Sequence, residues 1–447
     1  MFQDFREYLG YLERKGKLLR VKKEVDVRYE IAAGIRKTSD VDGPALLFEN
    51  IKGYPGWRIA GGIFATQKLM ALALGLPKNA GSDRILRRYL EFDEKAVSPR
   101  LVSSGPVKEV ILKGKDADLT RIPIPTYSSL DAGPYITAGV DFARNPDTGI
   151  ANVSMHRQKV MDKKRTTFLA RGFQHLARQI AAAEKKGKGL GIAVAIGLEP
   201  AIVIASQLQA PFGVDETGMA GALRGAPVEM VKCETIDAEV PAHAELVIEG
   251  RIVPGEKVTD GPFGEYPGNY STFLGSPQVE APLFEVTAIT MRKNPIFQAM
   301  LTGFPLPLTE NHILRKWAVM APVYRLASQY AEVLEVHPTD SGGGQGWLVV
   351  KIKKTDDSQP RKIIDAIFHE LRTPRQVTVV DDDIDIHNPA ELEWAVVTRA
   401  APDKNIIIIP RDPPRPAKWG IDATMPVKER QWYERTVVPG VDKVDYL

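Results

Sequence analysis

The chain has 447 residues, a length that predicts two to four domains at about 100–200 residues each. Hydrophobic residues make up 44% and charged residues 26%, as in globular proteins, and the formal net charge of +3 gives no reason to expect a nucleic-acid partner or an anionic membrane surface. The single cysteine, Cys233, excludes an intrachain disulfide and a four-cysteine zinc site, and it favours a cytoplasmic location.

Residues 1–107 are predicted to form an N-terminal α/β domain. Apolar residues at helical spacing open this region and are followed by a glycine as a stop signal: Phe5, Tyr8, Leu9, Leu12 and then Gly16. Helical patterns return at residues 66–76 and 82–91. Because charged residues begin at Asp4, no apolar signal segment is expected.

Residues 108–305 are predicted to form an antiparallel barrel or sandwich, because short β-type runs alternate there with Pro/Gly turn clusters. These runs lie at residues 110–112, 122–125, 136–142, 247–252 and 285–291, with helices at 174–186 and 217–223. The most apolar stretch, 190–208, is interrupted by Glu199-Pro200, which would be costly in lipid. We therefore expect two buried strands, 191–196 and 201–205, rather than a membrane span.

The last part of the chain is predicted to be a separate α/β domain, residues 330–447, joined by a linking helix within residues 306–329. The helix is expected over residues 310–327. Strands and helices then alternate, at residues 347–353, 360–369, 377–380, 391–397 and 406–409. The proline-rich tail from Arg411 is predicted to be an arm that docks elsewhere, including on a partner subunit.

A strand near residue 154 carries alternating polar side chains. Alternation places Asn152, Ser154 and His156 on one face, with Val153, Met155 and Arg157 on the other. This pattern is typical of a half-exposed strand, and also of a row of side chains that lines a ligand cavity.

Two helix starts carry possible metal ligands, His175 and Glu216. An acidic residue at a helix start is common because of the helix dipole, and a histidine there is often a surface or capping residue. Taken with Asn152, they would form a mixed nitrogen and oxygen set that suits Mn²⁺ or Mg²⁺ better than zinc.

The segment from Asp260 to Glu265 places two carboxylates at the ends of a loop shortened by Gly261, Pro262 and Gly264. Such a segment is either an ordinary acidic surface turn or a pair of carboxylates tuned for acid–base chemistry by a nearby arginine. The glycine-rich run 341–346 lacks the lysine of a phosphate loop and is interpreted as a turn. Cys233 is interpreted as a buried structural thiol.

Together these segments resemble the UbiD family of prenylated-flavin-dependent decarboxylases over nearly the whole chain. Each motif is weak alone, but their order makes the resemblance specific. The motifs lie at residues 4–9, 43–48, 119–125, 133–137, 152–157, 214–216, 231–235, 261–265, 381–385 and 418–424.

The resemblance implies a multidomain α+β fold: an N-terminal α/β domain (1–107), a central flavin-binding split β-barrel (108–305), a linking helix (306–329) and a C-terminal α/β oligomerisation domain (330–447). It also implies prenylated FMN held through Mn²⁺ (or Mg²⁺) and K⁺. The divalent ion would be held by Asn152, His175 and Glu216. The K⁺ site would use Glu216, the Ser206 hydroxyl and main-chain groups around Val153, Ala205 and Leu208. Other residues would line the cofactor: Ser154, Met155, His156, Arg157, Gln174 and Gln207.

The family's acid–arginine–acid triad falls on Arg157, Asp260 and Glu265. The resemblance implies that Glu265 delivers a proton to the carbon that loses CO₂. Arg157 would hold Glu265 and contact the departing carboxylate, while Asp260 keeps Arg157 in place.

The substrate is expected to be an aromatic or heteroaromatic carboxylic acid, with a furan carboxylate or furan-dicarboxylate favoured and pyrrole or phenolic acids next. His312 and Arg315, at the start of the linking helix, would recognise a polar ring or a second carboxylate, or would lie on a solvated helix face. CO₂, a flavin prenyltransferase and a homodimer or homohexamer complete the expected partners. Two other classes remain open: a conventional FMN oxidoreductase and a non-catalytic carboxylase subunit.

Overall fold

The computed structural model describes residues 1–92, 96–171, 174–208, 215–270, 276–303, 306, 308–411, 416–433 and 435–440. The chain divides into two compact units, Met1–Ala321 and Pro322–Leu447. Helices and strands are present in both units, so the predicted multidomain α+β class is confirmed. The finer domain limits within residues 1–329 remain predictions.

The N-terminal part begins with a helix whose pattern is visible in the sequence. In α1 (Phe5–Arg14) the Asp4 side chain accepts a hydrogen bond from the Glu7 amide, and the apolar stripe is buried. The following elements are β1 (Leu18–Val21), α2 (Glu30–Ser39), β2 (Ala45–Phe48), β3 (Arg58–Gly61), α3 (Gln67–Ala73) and α4 (Ser82–Phe92). A sheet of order β1-β2-β3 is extended by a late strand, β16 (Ile296–Ala299).

The central part is dominated by antiparallel strands. Its remaining strands are β4 (Arg100–Leu101), β5 (Val110–Lys113), β6 (Tyr135–Ile136), β7 (Val140–Arg144), β8 (Ala151–Met155), β9 (Gln158–Lys159), β10 (Arg165–Thr167), β11 (Gly191–Ile196), β12 (Glu229–Lys232), β13 (Glu239–Pro241), β14 (Leu246–Asp260) and β15 (Val279–Met291). Its helices are α5 (His175–Lys185), α6 (Pro200–Ala205) and α7 (Glu216–Arg224). Short 3-10 turns lie at Pro106–Lys108, Gly114–Asp116 and Leu119–Arg121.

The main sheet of this part has the order β10-β15-β14-β11-β7-β8, and β5 pairs with β15 beside it. Its core includes Val194, Ile248, Phe284 and Ile289, which are all buried. Asp260 is the last residue of β14, so its carboxylate lies at the loop end of the long hairpin that β14 forms with β15. Smaller sheets pair β13-β12-β4 and β6-β9.

Three strand predictions in this part are corrected by the structure. Residues 122–125 form no strand, because Pro123 and Pro125 supply no N–H donors for a ladder. Residues 201–205 belong to helix α6, in which every residue is buried and Pro200 occupies the first turn. An apolar run buried on all sides gives no period to separate a strand from a helix. The run 136–142 divides into β6 and β7.

The linking helix α8 (Glu310–Ala327) has the predicted bounds. Beyond it lie β17 (Glu332–Pro338), β18 (Trp347–Lys353), α9 (Gln359–Glu370), β19 (Gln376–Val380), α10 (Pro389–Arg399), α11 (Pro402–Asn405), β20 (Ile406–Ile409), β21 (Lys418–Ala423) and α12 (Arg430–Tyr433). The sheet order is β17-β18-β19-β21-β20. Strand β19 pairs in parallel with both β18 and β21. No helix among the described residues is long and apolar enough to cross a bilayer.

The prediction of a C-terminal arm that docks elsewhere is wrong for the described part of the tail, which packs within its own unit. Strand β21 lies between β19 and β20 in its own sheet. Arg430 donates to Asp382, and Arg435 Nη2 donates to Glu391 Oε2 at 2.7 Å. Residues 412–415, 434 and 441–447 of the predicted arm lie outside the described residues.

Glu310 is a fully buried carboxylate at the start of α8. It accepts hydrogen bonds from the amides of Phe64 and Leu301, both at 3.3 Å. Burial raises the pKa of Glu310 from 4.5 to about 7. Between pH 4.5 and about 7, Glu310 is therefore protonated in the folded chain but ionised in the unfolded chain. The stability that this protonated group contributes is complete below pH 4.5 and is lost as the pH rises through about 7.

The Glu310→Gln variant cannot ionise and is expected to escape this loss. Melting temperatures of both proteins at about pH 5 and about pH 8 test it, and the native protein should lose more stability than the variant between them. An unchanged difference between the two proteins at both pH values would contradict the assignment.

Candidate active site

Arg157 lies between two buried carboxylates that come from the far end of β14 and from the loop after it. Its Nε and Nη2 donate to Asp260 Oδ2 at 3.0 and 2.6 Å, and its Nη1 donates to Glu265. Asp260 is fully buried and Glu265 is 6% exposed. Burial alone would lower the pKa of Arg157, but the two carboxylates more than offset this effect and raise it. The arginine is therefore held charged.

The loop that carries Glu265 is fixed at several points. The Gly261 amide donates to the Tyr135 hydroxyl at 3.1 Å, and the Gly264 amide donates to Asp131 Oδ1 at 2.8 Å. The Glu265 amide donates to the Asn269 carbonyl at 2.8 Å. The Phe263 ring centroid lies 4.7 Å from the Arg157 guanidinium. These contacts hold Glu265 where its carboxylate meets Arg157.

The predicted metal ligands lie on three elements that meet. Helices α5 and α7 both pack on β8, which carries Asn152. On β8, Asn152 Nδ2 donates to Ser154 Oγ at 3.1 Å, so these two side chains share a face as the alternation predicted. Glu216 Oε2 accepts a hydrogen bond from the Val153 amide at 2.9 Å, which joins the start of α7 to the same strand.

Glu216 has the environment of a carboxylate that can bind a cation. It is 4% exposed, and no lysine, arginine or histidine of the described chain forms an ion pair with it. Burial raises the pKa of Glu216 to about 7. His175, the first residue of α5, has its pKa lowered by burial, which favours the neutral imidazole that binds metals. A group of three or more His, Cys, Asp or Glu arranged for a metal is absent from the described residues; the predicted set instead combines one amide, one imidazole and one carboxylate.

The remaining predicted cofactor and potassium residues follow α6 or precede α5. Gln207 Nε2 lies 3.2 Å from Ser206 Oγ and 3.5 Å from Met155 Sδ, so the end of α6 meets β8. Ser206 Oγ donates to the Val203 carbonyl at 2.7 Å, and the Leu208 amide donates to the Ala205 carbonyl at 3.1 Å. Gln174 Oε1 accepts from the Arg171 amide at 2.5 Å. The adjoining residues 172–173 and 209–214 lie outside the described residues.

His312 is fully buried, so its placement on a solvated helix face is wrong. Its Nε2 lies 2.7 Å from the Tyr266 carbonyl oxygen, and its Nδ1 lies 2.7 Å from Thr309 Oγ1. Both ring nitrogens are therefore occupied by protein atoms, and a direct bond to a substrate would have to replace one of them. Burial lowers the pKa of His312 to about 4, so the ring is neutral at physiological pH. Its substrate contact remains a prediction.

Two further arginines lie close to the triad. Arg315, which is half-buried, has its guanidinium 5.8 Å from the ring of Tyr266, the residue after Glu265. Burial lowers the pKa of Arg171, and the opposing effect of the Glu265 charge is too small to reverse this shift. Neither arginine forms an ion pair with any residue that the structure describes. The sequence alone does not mark Arg171 as a site residue, because a single arginine in a loop forms no pattern.

Asp141 is a second residue that sequence reasoning missed. It is fully buried in β7, and its Oδ2 lies 2.8 Å from His156 Nδ1. The available signal was a single carboxylate inside the apolar strand Val140–Arg144, since an unpaired charge is rarely buried there.

Comparisons with known proteins cover nearly the whole chain. Family models match the N-terminal domain of 3-octaprenyl-4-hydroxybenzoate carboxy-lyase over residues 9–89, its Rift-related domain over 100–305 and its C-terminal domain over 312–423. An uncharacterized protein from Archaeoglobus fulgidus is 33% identical over 468 aligned residues, which cover 96% of this chain and 94% of that protein.

Two solved structures are similar along their whole length. An evolved dimeric form of the UbiD-class enzyme HmfF from Pelotomaculum thermopropionicum, in complex with prFMN, is 39% identical, with coverage of 100% of this chain and 99% of that chain and a TM-score of 0.87. The closed form of vanillic acid decarboxylase from Sedimentibacter hydroxybenzoicus is 30% identical, with coverage of 99% and 97% and a TM-score of 0.87.

The three-domain match and the likeness to these decarboxylases define an enzyme of the carboxy-lyase class. The chain belongs to the UbiD family, whose members are prenylated-FMN-dependent carboxy-lyases.

Gly303 tests how closely the Glu265 loop must be placed. Its φ is +83°, and a Cβ there would clash with the Gly264 carbonyl group. Gly255, with φ +73° and nothing within 4 Å of a built Cβ, is a matched control for backbone strain alone. We expect Gly303→Ala to lower kcat about 100-fold by displacing Glu265, and Gly255→Ala to leave kcat unchanged. Equal kcat values would show that the contact does not position Glu265.

Proposed function

We propose that the protein catalyses the reversible, non-oxidative decarboxylation of a heteroaromatic carboxylic acid, with furan-2,5-dicarboxylate or a furoate as the favoured substrate. Glu265 is the proton shuttle. The observation that supports this most directly is the Arg157 side chain, only 11% exposed, between two buried carboxylates: its Nη2 donates to Asp260 Oδ2 at 2.6 Å and its Nη1 donates to Glu265. Such an arrangement holds the Glu265 carboxyl group in one position and largely excludes water from it.

Prenylated FMN with Mn²⁺ (or Mg²⁺) and K⁺ fits the residues around β8. The buried Glu216, without a cationic partner among the described residues, accepts a hydrogen bond from the amide of Val153, the residue after Asn152. Together with Asn152 and His175 it could bind a divalent ion. Ser206 and the carbonyls of Val153, Ala205 and Leu208 would hold K⁺, while Gln174 and Gln207 would contact the flavin. When bound, the prenylated flavin supplies the electron sink for the carbon–carboxylate bond that breaks.

The chain's own residues then orient the substrate and control one proton. Arg157 contacts the reacting carboxylate and holds Glu265. Glu265 gives its proton to the ring carbon that has lost CO₂, and in the reverse direction it removes that proton. Asp260, which also accepts a hydrogen bond from Thr167 Oγ1 at 2.7 Å, keeps the guanidinium from rotating.

The charges around the triad support a dicarboxylate. With Glu265 carrying the proton that it will deliver, the charge of Arg157 is balanced by Asp260. Arg171 and Arg315 then leave two positive charges without an ion-pair partner among the described residues. Two substrate carboxylates would balance them, whereas a monocarboxylate would balance one.

A comparison of two substrates tests this point. We expect Arg315→Met to lower kcat/KM for CO₂ release from furan-2,5-dicarboxylate about 10- to 100-fold more than from 2-furoate, because only the first loses a charge-assisted contact. Arg325→Met, on the same helix α8, is the control and should leave the ratio unchanged. Equal losses for both substrates would favour a pyrrole or phenolic acid, or another monocarboxylate.

The expected partners follow from the same proposal. A flavin prenyltransferase would supply the cofactor, and CO₂ is released or consumed. Assembly as a homodimer or homohexamer is supported by an apolar edge strand, since Ile408 in β20 is 72% exposed at the end of the sheet.

A further inference from the structure

A buried hydrogen-bond chain begins at Asp141, which the proposed mechanism does not use. Asp141 Oδ2 lies 2.8 Å from His156 Nδ1. Gln158 Nε2 donates to Asp141 Oδ1 at 3.3 Å, and Thr166 Oγ1 donates to Gln158 Oε1 at 3.2 Å. All four residues are buried, with exposures of 0% for Asp141, Gln158 and Thr166 and 5% for His156. A fully connected polar chain of this kind strongly favours one arrangement of its protons.

The direction of each hydrogen bond follows from chemistry. A carboxylate only accepts, so the amide nitrogen of Gln158 and the Nδ1–H of His156 both point at Asp141. The threonine hydroxyl satisfies the remaining oxygen of Gln158. His156 therefore carries its proton on Nδ1, and in the neutral ring Nε2 is left with a lone pair.

The opposite edge of the His156 ring is available to a ligand. Its Nε2 makes no hydrogen bond with any of the described residues, and the ring centroid lies 5.6 Å from that of Phe168. His156 directly precedes Arg157 and follows β8, the strand with the proposed cofactor ligands. A nearly buried ring nitrogen without a protein partner in this part of the chain is expected to bind something that the site receives.

We propose that Asp141 is a positioning residue for the cofactor: it holds His156 in the Nδ1-protonated form, so that Nε2 accepts a hydrogen bond from an N–H or O–H group of the bound flavin. The inference rests on the proposed placement of the flavin beside His156. It adds to that proposal a residue that touches neither cofactor nor substrate.

The variant Asp141→Asn tests the proton arrangement with little change in shape. Gln158 still offers an N–H to position 141, so the new amide turns its oxygen toward Gln158 and its NH₂ toward His156. His156 Nδ1 must then accept, and its proton moves to Nε2. The flavin would face a donor where it needs an acceptor, as when a triad aspartate is replaced by asparagine.

A second substitution should reverse the effect. In Asp141→Asn with Gln158→Glu, the carboxylate at 158 accepts the new NH₂ group, and the oxygen of residue 141 is again free to accept from His156 Nδ1–H. Thr166 can still donate to residue 158. The acceptor at Nε2 is thereby restored, although neither original side chain is present.

The measurement is the dissociation constant of FMN, read from flavin fluorescence with Mn²⁺ and K⁺ present, together with the nitrogen-15 shifts of the His156 ring. We expect Asp141→Asn to weaken FMN binding about tenfold and to invert the ring tautomer. The double variant should return to within about threefold of the native value. Thr166→Val, which removes only the outer hydrogen bond, is the matched control and should bind FMN normally.

The outcomes separate this inference from the cofactor placement on which it rests. His156→Phe should also weaken FMN binding; if it does not, the flavin does not lie beside His156 and both proposals fail at that point. If His156→Phe weakens binding but Asp141→Asn binds FMN as the native protein does, the role of Asp141 is wrong. A double variant as weak as Asp141→Asn, with native melting behaviour, would also overturn it.

Discussion

Glu265→Gln is expected to lower turnover by about 1,000-fold or more while flavin and metal remain bound. Glutamine keeps the shape of the side chain and its oxygen can still accept from Arg157, which already bonds Glu265. It has no proton to deliver to the ring carbon, and loss of a general acid typically costs between about 10² and 10⁴ in rate. Turnover is measured as CO₂ release from a furan carboxylate.

Two readouts make this prediction specific. The flavin absorbance spectrum and the metal content of Glu265→Gln should match those of the native protein, because the carboxylate lies on the loop after β14 and not on β8, α5 or α7. A variant with near-native turnover would remove Glu265 from the mechanism. Loss of flavin from the variant would instead give Glu265 a structural role.

Glu216→Gln is expected to empty the metal site and weaken flavin retention at least about 100-fold. In the native chain the Val153 amide donates to Glu216 Oε2 at 2.9 Å. The oxygen of glutamine can still accept this hydrogen bond, so the junction of α7 and β8 should persist. The negative charge is lost, and a divalent ion would be held by neutral groups alone. Manganese per chain and bound flavin are measured on the purified protein.

Glu199 provides the matched control for this experiment. It is also 4% exposed and precedes a helix, α6, but its Oε1 already has a cationic partner, Arg224 Nη1 at 2.6 Å. Glu199→Gln should therefore leave metal and flavin content unchanged, even if it lowers stability. Equal metal content in Glu216→Gln and the native protein would contradict the assignment of Glu216 as a ligand.

Local patterns predicted those elements whose apolar period is visible. The helix α1 and the linking helix α8 lie where the sequence places them, because each has a helical apolar pattern and a clear start. Helix α6 was predicted as a strand, since all six of its residues are buried and no polar face marks its period. The position of β21 inside the last sheet is a long-range pairing that no local signal carries.

Local sequence patterns could predict only part of the candidate site. Arg157 is separated from Asp260 by 103 positions and from Glu265 by 108, so spacing could not bring them together; the resemblance to the UbiD family did. Arg171 was missed because a single arginine in a loop forms no pattern, and Asp141 because its partner His156 lies 15 positions away in the sequence. His312 was predicted to contact the substrate, yet its two nitrogens are bonded to Thr309 and Tyr266.

The most direct test of the account is CO₂ release by the full-length protein produced with and without a flavin prenyltransferase. Protein from co-expression is expected to release CO₂ from furan-2,5-dicarboxylate and to show an altered flavin spectrum, whereas protein that carries only FMN is expected to be inactive. Equal CO₂ release from both preparations would contradict a role for the prenylated cofactor. Activity that requires an added reductant would instead indicate a conventional FMN oxidoreductase.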